Sequence, residues 1–318
     1  MRELISLHFT LRAAGMESKM YINPYSSINE GKGSWMKSNF HTHAGTGPDT
    51  CGAYDLEEVV KLYIEAGYKI LCISNHDLFT DTFHLKEKYD IGLINGFEYS
   101  QNPHMLCIGC KSLIEGEHQT AIDECIVQEG FVILCHPNWQ HKEYWPWTKI
   151  DSIKGYNGIE VFNGVIGHLT GTGLAEDTWD YLLTSGKLVW GFGNDDFHRW
   201  YDLNKSWTMI YTESNEDNDI KSAVRRGSFY LSTGLFLNDI TFDKNIIKLK
   251  ASENACYPKN YQYIFIGKNG EILHKQEGEF GEYKLTSNEL YVRVKVMGEQ
   301  GYALWTQPIY NENLLKKP

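Results

Sequence analysis

The sequence predicts an α/β protein: a β/α barrel over residues 36–234 and a small, sandwich-like antiparallel β-domain over residues 235–318, preceded by a flank of residues 1–35. Three observations carry this. From residue 36 to about residue 200 a short apolar run, a polar cluster and a helical pattern recur in turn. Most of the apolar runs end in a potential metal ligand. Beyond about residue 234 the pattern changes to the two-residue alternation of half-buried strands.

In chain order, the runs are WMKSNF before His41, YKILCIS before Asn75-His76-Asp77, IGLINGF before Glu98, FVILC before His136, GIEVFN around Glu160 and LVWGFG before Asn194-Asp195-Asp196. Runs as apolar as FVILC suit a sheet buried on both faces. Between them lie amphipathic stretches. In DLEEVVKLYIEAG, Leu56, Val59, Val60 and Tyr63 follow helical spacing, Asp55 and Glu58 resemble a capping box, and Gly67 is a natural stop. Further helices are expected from Thr120 to Gly130 and from Leu174 to Gly186. Strands alternating with helices form parallel units, and strand after strand ending in His, Glu or Asp places those groups together at the C-terminal mouth of a barrel. A doubly wound open sheet is the alternative, but it gathers ligands only at its switch point.

In the last quarter, LYVRVKV puts Leu290, Val292, Val294 and Val296 on one face and Tyr291, Arg293 and Lys295 on the other. Asn269-Gly270 between YQYIFIG and EILHKQ is a strong hairpin turn. His274 stands alone in a strand pattern and reads as structural.

Composition narrows the function classes. Thirty basic against 41 acidic residues give a formal charge of −11 with no basic block, which argues against a nucleic-acid polymer as partner. An anionic substrate would have to meet metal ions or a few placed cations. Seven cysteines, an odd number spread from Cys51 to Cys256, make no disulfide framework and point to a reducing, cytoplasmic setting. Cys107 and Cys110 in HMLCIGC lack a second pair at zinc-ribbon spacing and read as structural thiols. No apolar run approaches the roughly 18 residues of a membrane span, and Glu3, His8 and Arg12 interrupt the apolar opening segment. The first 20 or so residues read as an extension, with Met20 a candidate start. The oligomeric state is not legible.

The chemistry lies in the strand-end clusters. Of the twelve histidines, His41, His43, His76, His104, His136 and His198 fall there, joined by Asp49, Glu98, Asp195 and Asp196. On an extended strand His41 and His43 point to one side and reach one point together. Imidazoles mixed with carboxylates favour zinc, manganese or iron(II). Clustered ions of that kind lower the pKa of a bound water and stabilise the charge of an ester undergoing displacement. There is no Gly-x-Ser-x-Gly, and Gly45-Thr46-Gly47 lacks the lysine of a phosphate-binding loop.

FHTHAG, ISNHD, GFEYS, HMLCIG, CHPNW and GNDDFH, in this order over about residues 36–200, resemble the successive motifs of the PHP (polymerase and histidinol phosphatase) superfamily of metal-dependent hydrolases. The resemblance implies a distorted barrel of seven strands and a centre of two or three divalent ions. By motif, His41 and His43 would hold one ion with Asp196, and Glu98 would bridge two ions. His136 would serve the ion bridged by Glu98. His76 and His198 would serve the other end of the cluster, with Asp49 in the loop position. His104 is left between ligand and substrate contact. Two features depart from the pattern: Asn75 stands where the family commonly has Asp and can orient an imidazole but brings no charge, and the loop from His43 to Asp49 is one residue longer than usual, which makes Asp49 the least secure ligand. Asp195 is expected outside the ligand set. The flanks YINPYSSI and WTQPIY resemble a subgroup with a C-terminal β-domain, some members of which are linked to aryl carbamate cleavage.

The expected activity is hydrolysis of a small anionic ester, foremost a phosphomonoester or phosphodiester, with His198 or His104 protonating the leaving group and Arg199 either contacting the phosphate or pairing at the surface. The alternatives are carboxyl or carbamate ester hydrolysis at the same centre and a degenerate barrel that only binds. For the aromatics of NWQHKEYWPW, a lid, a binding surface and plain packing remain open. Size and charge argue against a polymerase or exonuclease role.

Overall fold

The computed structural model describes residues 21–45, 47–142, 144–252 and 260–315. The N-terminal extension expected over residues 1–20 lies outside them, as does Cys256. Among the described residues nineteen strands follow one another: β1 (Tyr21–Ile22), β2 (Ser34–Asn39), β3 (Ile70–Leu71), β4 (Gly92–Leu93), β5 (Gly96–Tyr99), β6 (Met105–Ile108), β7 (Phe131–Leu134), β8 (Gly158–Asn163), β9 (Trp190–Asn194), β10 (Trp207–Thr212), β11 (Phe229–Ser232), β12 (Phe236–Asp243), β13 (Ile246–Ser252), β14 (Tyr261–Ile266), β15 (Ile272–Gly278), β16 (Gly281–Lys284), β17 (Tyr291–Met297), β18 (Ala303–Thr306) and β19 (Ile309–Asn311). The expected helices form over Leu56–Glu65, His118–Val127 and Glu176–Thr184, and a further one spans Asp217–Arg226.

The ladder differs from a closed barrel of seven parallel strands. One sheet runs β4-β3-β2-β10-β11-β18-β17-β19-β1, with β14 and β15 branching from β17; a second runs β5-β6-β7-β8-β9. Both are open. Parallel pairing holds for β2–β3–β4 and β7–β8–β9, but β5, β6 and β7 alternate in direction, and β10 lies antiparallel to β2. The five residues between Tyr99 and Met105 are too short for a crossover helix, so β6 must return antiparallel.

The helices bury the faces that their spacing predicts: Val59, Val60 and Tyr63 in the first, Ala121, Ile122 and Cys125 in the second. Asp55 occupies the N-cap position of Leu56–Glu65 with extended backbone, but the expected side-chain cap bond is absent. Gly67 at φ 82° and Gly186 at φ 86° follow their helices in the left-handed conformation that glycine adopts without steric cost.

The C-terminal strands pair with strands from earlier in the chain. β18 pairs with β11 from Tyr230↔Thr306 to Ser232↔Leu304, and β1 pairs with β19. Asn269-Gly270 does turn the β14–β15 hairpin, with φ 60° and 72°. The one-faced alternation expected in β17 fails at Tyr291 and Arg293, both fully buried. The physical reason is helix Glu176–Thr184, which covers that face: Arg293 Nε donates to Asp180 Oδ1 at 2.8 Å and a terminal nitrogen to Oδ2 at 2.6 Å, while Tyr291 Oη donates to Asp180 Oδ1 at 3.0 Å. His274 is exposed in β15, beside Phe265 and Tyr283.

Six described cysteines carry free thiols. Cys107, Cys110 and Cys125 are buried, with Cys110 Sγ 3.2 Å from Cys125 Sγ. Among the described residues no helix is long and apolar enough to cross a membrane.

Candidate metal centre

The backbone past the strand ends continues as a narrow ladder that brings the motifs side by side. His43 N–H donates to Phe197 O at 2.8 Å, Ser74 N–H to Thr42 O at 2.8 Å, and Asp77 N–H to Glu98 O at 2.9 Å. The segments 197, 41–43, 74–76 and 98 therefore lie abreast, and their side chains meet. Asp77, His136 and Asp196 have φ of 44°, 30° and 55°, an uncommon backbone for residues other than glycine, concentrated where the strands deliver these groups.

At the centre are four enclosed groups: His41, His43, Glu98 and Asp196. Nε2 of His41 and Nε2 of His43 each stand 3.2 Å from Asp196 Oδ1, and 3.2 Å and 3.3 Å from Glu98 Oε2. The expectation that His41 and His43 reach one point together is thus met in the geometry. Glu98 turns its other oxygen to a second group, with His104 Nδ1 at 2.8 Å and His136 Nε2 at 3.4 Å from Oε1. His76 Nδ1 lies 3.0 Å from Glu98 Oε2, and His198 Nδ1 lies 3.6 Å from Asp196 Oδ1.

These contacts are close yet poorly directed. His41 Nε2, both ring nitrogens of His43 and Glu98 Oε2 are buried without a properly aligned hydrogen-bond partner. Atoms 3.2–3.3 Å apart whose lone pairs converge between them, rather than along the contacts, fit an ion: ligands 2.0–2.1 Å from zinc in a tetrahedron stand about 3.4 Å from one another. Left unfilled, the same atoms would carry the cost of buried polar groups without partners. The donor set of imidazoles and carboxylates suits zinc, iron(II) or manganese.

Surrounding groups fix the imidazoles. Glu160, fully buried, places Oε1 2.8 Å from His41 Nδ1 and accepts the His136 N–H through Oε2 at 2.8 Å. A carboxylate there sets the His41 tautomer so that Nε2 faces the cluster. The sequence places Glu160 on a strand run but gives it no role. His76 Nδ1 lies 2.8 Å from Ser100 Oγ, and His198 Nδ1 2.8 Å from the Asp196 carbonyl. Asn75 does not orient an imidazole: it accepts Ala44 N–H at 2.9 Å and donates to Thr80 Oγ1 at 3.0 Å, which ties the 43–45 loop to the 74–80 loop. Asp195 lies outside the ligand set. It accepts Tyr63 Oη, Tyr68 Oη and the N–H groups of Asn204, Lys205 and Ser206, yet burial still pushes its carboxyl up to about 6.

Burial and the facing charges act on the cluster in opposite directions. Burial alone would lower the His41 imidazole, but Asp196, Glu160 and Glu98 outweigh it and hold the ring well above its ordinary value. Burial would raise Glu98 and Asp196, but the facing imidazoles keep both carboxylates low. An ion entering here displaces protons.

Asp49 is the expected residue that the structure does not bring in. It is exposed and belongs to none of the ligand-like groups among the described residues. A turn closed by Thr50, whose Oγ1 donates to Gly45 O at 2.7 Å, carries it outward. Cys51 faces the cluster instead: its sulfur, with one ring nitrogen each of His43, His76 and His198, forms a group whose atoms all lie within 4.8 Å of one another. Burial would raise its thiol, but the facing imidazoles of His198, His43 and His76 pull it down to about 4. The signal was in the sequence, two residues beyond Asp49.

The cluster opens into a cavity of about 480 Å³ through His76, His104 and His198, with Trp139, Val165, Ile166, Leu169 and Arg199 on its walls. Arg199 is exposed there with no carboxylate in ion-pair distance among the described residues. Two aromatics of the NWQHKEYWPW segment pack at the site: the Trp139 ring lies 5.1 Å from that of His136 and Trp145 Nε1 donates to His104 O, while Trp147 stacks on Tyr181 at 4.0 Å. A larger cleft, between Trp35 and Tyr302, contains none of the clustered histidines.

Neither a family model nor a curated protein sequence matches the chain. A solved structure does: a two-domain protein from Bacteroides vulgatus, described as containing a predicted PHP-like metal-dependent phosphoesterase, superposes with a TM-score of 0.52 over 84% of this chain and 91% of that one, at 16% identity. The chain shares the PHP-like fold. At that identity the likeness concerns the fold, and the reading of the site rests on the side chains described above.

Proposed function

We propose that the protein is a metal-dependent hydrolase of small anionic esters, foremost phosphomonoesters or phosphodiesters. The observation that supports it most directly is Glu98, a buried carboxylate whose two oxygens face two different sets of imidazoles. Two or three zinc, manganese or iron(II) ions held there would supply Lewis acidity and a water ionised at neutral pH. His41, His43 and Asp196 would hold one ion, Glu98 and His136 another, with His76 and His198 at the cavity side.

The remaining steps fall to the chain's own groups. Glu160 and Ser100 keep the imidazoles in one tautomer and orientation. Arg199 meets a substrate oxygen with a permanent positive charge, which offsets the repulsion expected from a chain of net charge −11. His104, partly open to the cavity, would protonate the leaving group. Val165, Ile166, Leu169 and Trp139 exclude water and receive an apolar leaving group. A cavity of this size suits a small molecule rather than a polymer.

The apolar walls also favour a second reading, an aryl carbamate or carboxyl ester at the same centre. The experiment compares a phosphate ester with a carboxyl ester of one leaving group, in the wild type and in the His41→Ala/His43→Ala double variant. Phosphoester turnover lost together with bound metal in the double variant supports the proposal. Turnover of the carboxyl ester alone moves the assignment to the second reading. Full metal content in the double variant removes both.

A further inference from the structure

Cys51 is exposed, yet its backbone is held against the site. Ala53 N–H donates to His198 O at 3.0 Å, Gly45 N–H to Tyr54 O at 2.7 Å, and the Thr50 hydroxyl closes the preceding turn on Gly45 and Gly47. Gly52 passes so close to Ala44 that a Cβ at position 52 would lie 2.8 Å from the Ala44 Cα, so only glycine lets the chain return here. These constraints set the residue 51 side chain over His43, His76 and His198. His43 is fully buried, and neither of its nitrogens has a hydrogen-bond partner among the described residues. His76 and His198 already direct Nδ1 to Ser100 and to the Asp196 carbonyl.

We propose that Cys51 is a metal ligand, its sulfur completing with His76 and His198 an outer ion site at the mouth of the cavity. The inference rests on the metal-centre reading and deepens it. Sulfur changes what the site selects. Nitrogen and oxygen ligands alone leave manganese and magnesium as contenders, whereas a thiolate favours zinc and its heavier congener cadmium. Among the described residues the group of His41, His43 and Asp196 contains no sulfur, so the two sites would differ in softness. Cys135, grouped with His41, Glu98 and His136, is the second sulfur near the cluster, and the test must separate the two.

Protein stripped with chelator is titrated with cadmium, following the ultraviolet sulfur-to-cadmium charge-transfer band and the cadmium bound per chain by elemental analysis. The wild type, Cys51→Ser, Cys51→Asp and Cys135→Ser are compared. The expected result is a band in the wild type and in Cys135→Ser. Cys51→Ser should lose both the band and one equivalent of cadmium. Cys51→Asp should keep the ion count without the band and lose roughly tenfold in its preference for zinc over manganese. Cadmium bound to the wild type without a band, or a band that survives in Cys51→Ser, overturns the assignment of Cys51 and leaves the metal centre standing. A wild type that binds no cadmium and no zinc overturns the metal centre, and the outer site with it.

Discussion

Glu160 Oε1 lies 2.8 Å from His41 Nδ1, and both side chains are fully enclosed. A histidine held in this way presents a single nitrogen to the cluster, and the geometry of that nitrogen depends on a carboxylate that touches no substrate. Glu160→Gln keeps the shape and removes the charge. It is expected to lower metal affinity by roughly 10- to 100-fold with little change in thermal stability of the stripped protein. A metal-buffered titration checks this, and unchanged affinity would remove Glu160 from the centre.

Metal loading should also be visible in stability. The convergent buried groups bind an ion only when folded, so an ion at about 100 times its dissociation constant is expected to add about 2.7 kcal/mol. Tm measured with and without chelator reports it, and equal values would speak against the centre.

Arg199→Ala tests the substrate charge. Losing a charge-assisted hydrogen bond of about 1.5–3 kcal/mol is expected to lower kcat/KM for a phosphoester by roughly 10- to 100-fold. Turnover of an uncharged ester with the same leaving group should be nearly unchanged. Equal losses on both substrates would place Arg199 in the wall rather than at the phosphate.

Arg293 ties β17 to helix Glu176–Thr184 through Asp180 and Glu176. Arg293→Met strands a buried carboxylate and is expected to cost about 3–5 kcal/mol. The double variant with Asp180→Asn should recover much of that loss. Urea midpoints decide the point.

The same network gives a pH dependence. Burial would raise the Glu176 carboxyl, but Arg293 and Lys295 outweigh it and hold it below its ordinary value. A depressed folded pKa means that the unfolded chain binds the proton more readily. The stabilisation is therefore complete above the unfolded pKa of about 4.3 and disappears as pH falls through the lower folded value. Glu176→Gln is expected to flatten stability against pH in that acid window and to leave neutral pH values parallel.

What could be read in the sequence was local. The His41/His43 pair follows from the two-residue period of an extended strand, and the Asn269-Gly270 hairpin from turn chemistry, because each depends on neighbours in the chain. Cys51 was missed because two ligand-capable residues, Asp49 and Cys51, share one loop, and which of them faces inward depends on the close approach of Gly52 to Ala44. Asn75 was misjudged for a similar reason: its partner is a backbone N–H of another loop. The pairing of β11 with β18 joins residues more than 70 apart, and no local pattern encodes it.

That pairing bears on the order of events as the chain leaves the ribosome. β11 can gain its second neighbour, and β1 its only one, after residues 303–311 have emerged. Both strands will have been synthesised long before, so each must wait with a flank open, a condition that slows folding and invites wrong pairing between chains.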